Sequence, residues 1–220
     1  MLVVGIDVSA EKGIVFLGEG GKILVKKVID PYASSEKLLP LLDALLKERE
    51  LEPESLKGII VSLGPGSFTG LRIGVCLAKG LAFVLKIPVI GVSTFDSWVF
   101  SSSAQGILCP LKRAHSSRFY GAFYRKDKEV RKRLSEYLFL PFERILKKSR
   151  EFSPQRVSFL ISYESSLDEL DYSLYTSLER IIPEEALLEF GIHRLNKGES
   201  DDISSLAPLY VAPPKIGPAK

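Results

Sequence analysis

The sequence predicts an α/β protein. Three observations carry that expectation. Three short apolar runs separated by turn signals open the chain, strand and helix patterns alternate from residue 34 to about 100, and one long apolar helix sits between two strands. Leu2-Val3-Val4-Gly5-Ile6-Asp7-Val8 is the first strand and ends in a carboxylate. Gly13 to Gly18 is the second, Glu19-Gly20-Gly21-Lys22 a turn, and Ile23 to Ile29 the third. These read as an antiparallel meander. Ser34 or Ser35 then caps a helix with Leu38, Leu39, Leu41, Leu42, Leu45 and Leu46, and Pro40 marks its start or a kink. A strand over 58–63, a helix over 68–86 and a strand over 87–92 follow, and Ser93 or Thr94 caps a further helix. The strands flanking the long helix are expected to be parallel, joined by a right-handed crossover.

With 220 residues, 45% of them hydrophobic and 26% charged, the chain is long and apolar enough for a real core. Its net charge of +3 does not by itself predict nucleic-acid binding. Cys76 and Cys109 have no metal spacing, and Cys76, on an apolar helix, reads as a buried thiol. No basic segment precedes an apolar targeting stretch and no uninterrupted apolar run has membrane length, so a cytoplasmic location without a membrane is expected.

Residues 64–74 read Gly-Pro-Gly-Ser-Phe-Thr-Gly-Leu-Arg-Ile-Gly, a glycine-rich turn between a strand and a helix, the arrangement that brings bare amides to an anion. The run fails both common nucleotide fingerprints: Leu71 stands where a Walker A loop needs Lys, and Thr69 where the dinucleotide pattern needs Gly. Gly70, Gly74, Ala78 and Ala82 recur every four residues and form a smooth stripe on the helix, beside Ile73, Leu77, Leu81 and Val84. Arg72, Lys79 and Lys86 define one narrow polar strip. A helix apolar over most of its circumference needs cover on more than one side. Burial between two lobes is one reading. The other is a subunit interface, since four or five exposed aliphatic side chains forgo roughly 1.5–3 kcal/mol each.

Three antiparallel strands followed by parallel α/β units match the ribonuclease-H-like core that actin-like ATPases duplicate. No internal sequence repeat proves a duplication here. From about 105 the texture changes, so 1–104 reads as a first lobe carrying the docking helices and 105–220 as a smaller, less regular second lobe. The second lobe has aromatic strand residues over 119–124 and a basic segment over 125–150 that holds Lys126, Lys128, Arg131, Lys132, Arg133, Lys147, Lys148 and Arg150. Acidic residues follow at Glu164, Asp168, Glu169 and Asp171, and 212–220 reads as a loose end.

The glycine run with Ala78-Lys79-Gly80-Leu81-Ala82 resembles the bacterial TsaB (YeaZ) family. So do Gly5-Ile6-Asp7-Val8-Ser9, Ser35-Glu36-Lys37-Leu38-Leu39-Pro40, the strand 87–93 and Pro208-Leu209-Tyr210. The family's second-lobe Asp-Ala-Arg…Glu-Val-Tyr segment is replaced by Arg113-Ala114-His115-Ser116-Ser117-Arg118-Phe119-Tyr120, in which acidic positions have become basic. The resemblance implies an actin-like ATPase fold with a reduced second lobe. It also implies a non-catalytic subunit that supports the catalytic subunit TsaD in making threonylcarbamoyladenosine beside the tRNA anticodon, alongside the ATPase TsaE. It implies no complete active site in this chain; no cofactor of its own is assigned, and ATP or ADP is a candidate at the interface with the partner. In isolation the chain is expected to pair with itself through the same helices.

Leu38, Leu42, Gly70, Arg72, Ile73, Gly74, Leu77, Ala78, Leu81 and Ala82 are the expected partner interface. Asp7, Ser9, Gly66, Ser67 and Thr69 are the candidates for contact with a nucleotide. Simple readings stand beside these: Asp7 caps the turn after its strand with Ser9, Ser67 and Thr69 cap the helix, Asp96 supports a helix start, and the basic run is a solvated face or touches tRNA phosphates. A small-molecule kinase of the same superfamily is the alternative. Such kinases keep a second phosphate-binding Gly-Thr/Ser loop and a second-lobe aspartate base, and residues 105–220 show neither. A metalloprotease needs a His pair, and His115 and His193 are far apart in sequence; a nuclease needs three or four converging carboxylates, and only Asp7 stands where one should.

Overall fold

The computed structural model of the protein describes residues 1–10, 12–29, 37–114, 117–128, 130–153, 157–163 and 177–212. Strands β1 (Leu2–Asp7), β2 (Gly13–Glu19) and β3 (Lys22–Ile29) form the antiparallel meander. Helix α1 (Leu38–Glu48), β4 (Ile59–Gly64), helix α2 (Phe68–Leu85), β5 (Val89–Ser93) and helix α3 (Thr94–Ser101) follow. The cap expected from Ser34 or Ser35 lies outside the described residues. The described part of α1 starts at Leu38, with Pro40 in its first turn, where no intrahelical donor is lost. The first sheet has the order β3-β2-β1-β4-β5, with β1, β4 and β5 parallel.

Every residue of β1 is buried because both faces of this sheet are covered. Its alternate side chains separate accordingly. Leu2, Val4 and Ile6 pack with Leu38, Leu42 and Leu45 of α1 and with Val75, Ala78 and Ala82 of α2. Val3 joins Phe16, Ile60 and Ile90 on the opposite face. Gly5 lies under the Phe16 ring, whose nearest atom would be 1.9 Å from an added Cβ.

The second half of the chain is more regular than its sequence suggests. Strands β6 (Gly106–Arg113), β7 (Arg118–Gly121), β8 (Tyr124–Lys126), β9 (Arg131–Arg133) and β10 (Leu138–Pro141) lead to helix α4 (Phe142–Phe152), β11 (Ser158–Ser162), β12 (Ser177–Ile181) and helix α5 (Pro183–Asn196). The aromatic stretch read as one strand is two, broken at Ala122 and Phe123. The sheet order β10-β7-β6-β11-β12 repeats that of the first sheet, with β6 in the part of β1 and β6, β11 and β12 parallel. A β8–β9 hairpin is added against β6. The duplication is thus topological, and α4 stands where α1 stands in the first half. The acidic residues at 164–171 and the tail from 213 lie outside the described residues.

The helices that follow the two sheets exchange between them. Phe95, Trp98 and Val99 of α3 pack with Leu108, Tyr120 and Leu160 of the second sheet. Leu187, Leu188 and Leu195 of α5 cover the first. Residue 105 therefore separates the sheets but not the helices that cover them. Beyond α5 a strap returns to the first sheet. Asp201 N–H donates to Val89 O (2.8 Å), and Gly91 N–H donates to Asp201 Oδ2 (2.7 Å). Arg194 Nη1 donates to Gly91 O (2.9 Å), so the open edge of β5 is satisfied by side chains and strap.

Candidate functional site

The glycine-rich turn sits on the β1–β2 turn. Ser9 N–H donates to Asp7 Oδ1 (3.0 Å), and Ser67 N–H donates to Ser9 O (2.9 Å). Ser67 Oγ accepts from Gly70 N–H (3.2 Å) and caps α2. The fit leaves no room for side chains. An added Cβ at Gly66 would lie 2.0 Å from Ser9 O, at Gly70 2.1 Å from Val8 O, and at Gly74 2.6 Å from Val8 Cγ2. Gly66 and Gly70 are required by close approach of backbone to backbone, and Gly74 by the Val8 side chain packed against the helix. The Ser67 amide, one of the donors that the sequence offers to an anion, is already used by the chain's own Ser9 carbonyl.

From the other lobe, Lys112 near the end of β6 donates through Nζ to Ser9 Oγ (2.6 Å). Burial lowers this ammonium to about 8, and the nearby Asp7 carboxylate opposes that shift. Asp7 and Ser9 are themselves buried. Since β6 repeats β1, the two equivalent strand ends bring a carboxylate and an ammonium near each other. Sequence reasoning passed over Lys112 because its partner lies 103 residues away.

Of the candidate nucleotide contacts, Asp7, Ser9, Gly66 and Ser67 are therefore brought together, whereas Thr69 is exposed at the start of α2. Among the described residues no three His, Cys, Asp or Glu side chains gather as a metal site. His115 lies outside them.

A second polar cluster bridges the halves. Tyr124 Oη donates to Asp96 Oδ1 (2.8 Å), and Ser93 Oγ and Tyr137 Oη share a hydrogen bond (3.0 Å). Burial raises Asp96 above the usual carboxylate range, against the lowering effect of the Tyr124 hydrogen bond and the Arg133 charge. Asp96 thus faces the second sheet, beyond its place in the first turn of α3.

The orientation of α2 corrects the expected interface. Gly74, Ala78 and Ala82 are buried against the chain's own first sheet, as are Leu38 and Leu42 of α1, so none of these presents a surface to a partner. Gly70 likewise seats on Val8. Small residues are needed wherever a helix approaches a backbone closely, and here that backbone is β1. The face turned outward is a different one. It carries half-buried Ile73, Leu77 and Leu81 with Cys76, Gly80, Phe83 and Val84, the last two 75% and 73% exposed. Only five of the eighteen residues of α2 are buried. Cys76 is exposed, contrary to the buried thiol expected, and Cys109 is the buried one.

α2 is long and apolar enough to cross a membrane by length and composition. Its inner side is nevertheless packed on a sheet, and its charges are tied down. Lys79 Nζ donates to Leu206 O (3.2 Å). Arg72 Nε donates to Tyr210 Oη (2.9 Å), and its guanidinium lies 4.2 Å from the Phe68 ring centre. The polar strip read from the sequence is thus the seat of the C-terminal strap, with Leu39 of α1 (53% exposed) a further apolar side chain left at the surface.

The chain matches the family model described as "TsaD: tRNA N6-adenosine threonylcarbamoyltransferase" over residues 31–175. The TsaB protein of Bacillus subtilis is 36% identical over 91 residues, 41% of this chain and 40% of that protein. The TsaB protein of Escherichia coli is 30% identical over 132 residues, 58% of this chain and 56% of that protein. Both carry the name tRNA threonylcarbamoyladenosine biosynthesis protein. The chain thus spans about half the length of the curated relatives it matches.

Among solved structures, YeaZ from Pseudomonas aeruginosa superposes with a TM-score of 0.72 at 22% identity, covering 96% of this chain and 99% of that one. The ethanolamine utilization protein EutJ from Carboxydothermus hydrogenoformans gives 0.54 at 11% identity, over 87% and 90%. With the repeated sheet order, these likenesses establish the actin-like ATPase fold. Matched over residues 31–175, more than half its length, by that family model, the chain belongs to the family described as "TsaD: tRNA N6-adenosine threonylcarbamoyltransferase", within which the relatives it resembles carry the name TsaB.

Proposed function

We propose that this chain is a non-catalytic subunit required for synthesis of N6-threonylcarbamoyladenosine in tRNA, and that it supports a homologous catalytic subunit of the TsaD type in the cytoplasm. The observation that carries the reading is the outward face of α2. Phe83 and Val84 are about three-quarters exposed beside half-buried Ile73, Leu77 and Leu81, a contiguous apolar strip that a monomer would rarely leave uncovered. The names of the TsaB relatives supply the pathway, and the family model supplies the kinship to the catalytic subunit. A helix-to-helix contact through this face, extended by Leu39, fits an interface between related folds.

The cleft supports the same division of labour. The Ser67 N–H is spent on Ser9 O and is not offered to a ligand, and the Lys112 ammonium from the second half is held by Ser9 Oγ. In this reading ATP or ADP binds at the interface with the partner and touches this chain at the exposed Thr69 turn. TsaE and tRNA join through the assembled complex, and without its partner the chain pairs with itself through α2.

Co-purification with the catalytic subunit tests the reading. Leu77→Asp with Val84→Asp in a chain of unchanged thermal stability abolishes pairing if α2 docks the partner. Full pairing by that variant, or metal-dependent kinase activity of the isolated chain, overturns the reading.

A further inference from the structure

The basic segment 125–150 holds ten Lys and Arg residues against four Asp and Glu, in a chain whose net charge is +3. The fold sorts these cations onto two sides of the second sheet. In the β8–β9 hairpin, Tyr124 faces Arg133, Arg125 faces Lys132, and Lys126 faces Arg131. Lys126 is buried and donates to Phe100 O (2.9 Å) and to Ser102 O at the end of α3. The Arg131 guanidinium lies 4.3 Å from the Phe100 ring centre, and that of Arg133 lies 4.2 Å from the Tyr137 ring centre. Lys126 and Arg131 hold the hairpin to the end of α3, and Arg133 is spent on the Tyr137 ring.

Arg125 and Lys132 point the other way. Arg125 is in register with Ile107, which belongs to the core beneath α4. The two cations sit directly opposite each other on adjacent strands, both exposed, and among the described residues no carboxylate pairs with either. Like charges directly opposite in an antiparallel pair destabilise it, so the pairing is unexplained by the fold. The same face continues onto α4. Phe152 at its end stacks on Phe123 at 4.5 Å, which brings the helix beside the hairpin. Phe142 and Ile145 turn inward, and Arg144, Lys147 and Arg150 turn to solvent.

We propose that this face of the second sheet, formed by Arg125, Lys132, Arg144, Lys147 and Arg150, binds the phosphate backbone of RNA. The inference rests on the tRNA-modification reading above and deepens it by naming the surface. A row of exposed cations on a rigid sheet and helix fits a polyanion of regular charge spacing, and release of counterions supplies the affinity. It is distinct from the outward face of α2, so RNA and the catalytic subunit bind together.

The test is fluorescence anisotropy of a labelled tRNA against the chain alone and against its complex with the catalytic subunit, as a function of salt. Arg125→Glu with Lys132→Glu, and separately Arg144→Glu with Lys147→Glu, are exposed reversals whose fold is checked by thermal melting. Each pair is expected to weaken binding by about tenfold or more and to lower the slope of log K against log salt by about 1.5–2. Arg131→Gln with Arg133→Gln is expected to weaken it much less. Unchanged tRNA affinity and slope in folded reversals that still pair with the catalytic subunit would overturn the proposal and leave the docking reading intact. Loss of binding to anionic lipid vesicles with tRNA binding unaltered also overturns it. Failure of the unaltered chain to pair with the catalytic subunit counts against the docking reading alone, because the anisotropy of the isolated chain still reports the RNA surface.

Discussion

Helices α1 and α4 occupy the same place in the two halves of the molecule. Both are 11 residues long, both follow the third strand of a meander, and both cover the equivalent face of their sheets. Their chemistry is opposite. α1 reads Leu-Leu-Pro-Leu-Leu-Asp-Ala-Leu-Leu-Lys-Glu and buries four leucines while Leu39 remains exposed. α4 reads Phe-Glu-Arg-Ile-Leu-Lys-Lys-Ser-Arg-Glu-Phe and buries only Phe142, Ile145 and Ser149. The first half has a further apolar helix, α2, beside α1. The second has a cationic hairpin beside α4. One topology thus supplies an apolar face suited to a protein partner and a basic face suited to a polyanion. The fold positions a surface, and the residues outside the core decide what it meets.

The contrast depends first on how α2 is seated. Gly70→Val should break it most severely. The new side chain would begin 2.1 Å from Val8 O, which backbone cannot yield cheaply, so a loss of about 3–4 kcal/mol is expected in urea unfolding, with pairing lost as a consequence. A loss under 1 kcal/mol would mean that α2 is not held against β1 as described.

The next largest effect separates surface from core. Val84→Asp alone should weaken pairing by about 2 kcal/mol, or roughly thirtyfold, while shifting fold stability by less than about 0.5 kcal/mol, since the side chain is already 73% exposed. Equal losses of stability and pairing would place Val84 in the core.

Lys112 sharpens the comparison at the cleft between the halves. Its folded pKa is depressed to about 8, below the value near 10.4 of an unfolded chain, so the folded state releases this proton first. Stability linked to Lys112 is therefore gained as pH rises through that window and lost as pH falls toward 8. At pH 7 the ammonium is a charge held partly buried. Lys112→Met should be at least as stable as the natural chain there and less favoured by about 1–3 kcal/mol at pH 10.5. Denaturation at the two pH values measures it, and a pH-independent difference contradicts the burial of Lys112.

The smallest expected effect is chemical. Cys76 on the outward face of α2 should react with a maleimide in the free chain and be slowed several-fold by the bound catalytic subunit. Cys109 is buried, and burial pushes its thiol well above the usual range, so it should stay unlabelled until the chain unfolds. Unslowed labelling of Cys76 in the complex would move the interface elsewhere.

Much of the first half was legible because its signals are local. Alternating runs, Gly20-Gly21 at the turn and Ser67 ahead of an apolar stretch report φ/ψ preferences over a few residues, and the element order follows from them. Two helices of the second half were not recognised, although Pro183 with Glu184 and Glu185 carries the usual marks of a helix start. The repeated sheet was invisible for another reason. Strands β6 and β11 pair across more than 40 residues, and shared topology requires no shared sequence.

The amino-acid sequence by itself determined the α/β class, the order of the first eight elements, the glycine-rich turn and the family. Tertiary structure alone decided which side of α2 meets the sheet. The spacing of Gly70, Gly74, Ala78 and Ala82 announces a close approach, but a helix repeats its small residues in the same way for its own sheet as for a partner. The crossover from β4 to β5 sets the rotation of the helix about its axis. It turns that stripe inward onto Val8 and Ile6 and leaves Leu77, Phe83 and Val84 outside. The pairing of Lys112 with Ser9 was decided in the same way, because only the closing of two sheets on each other brings residues so distant in sequence within 2.6 Å.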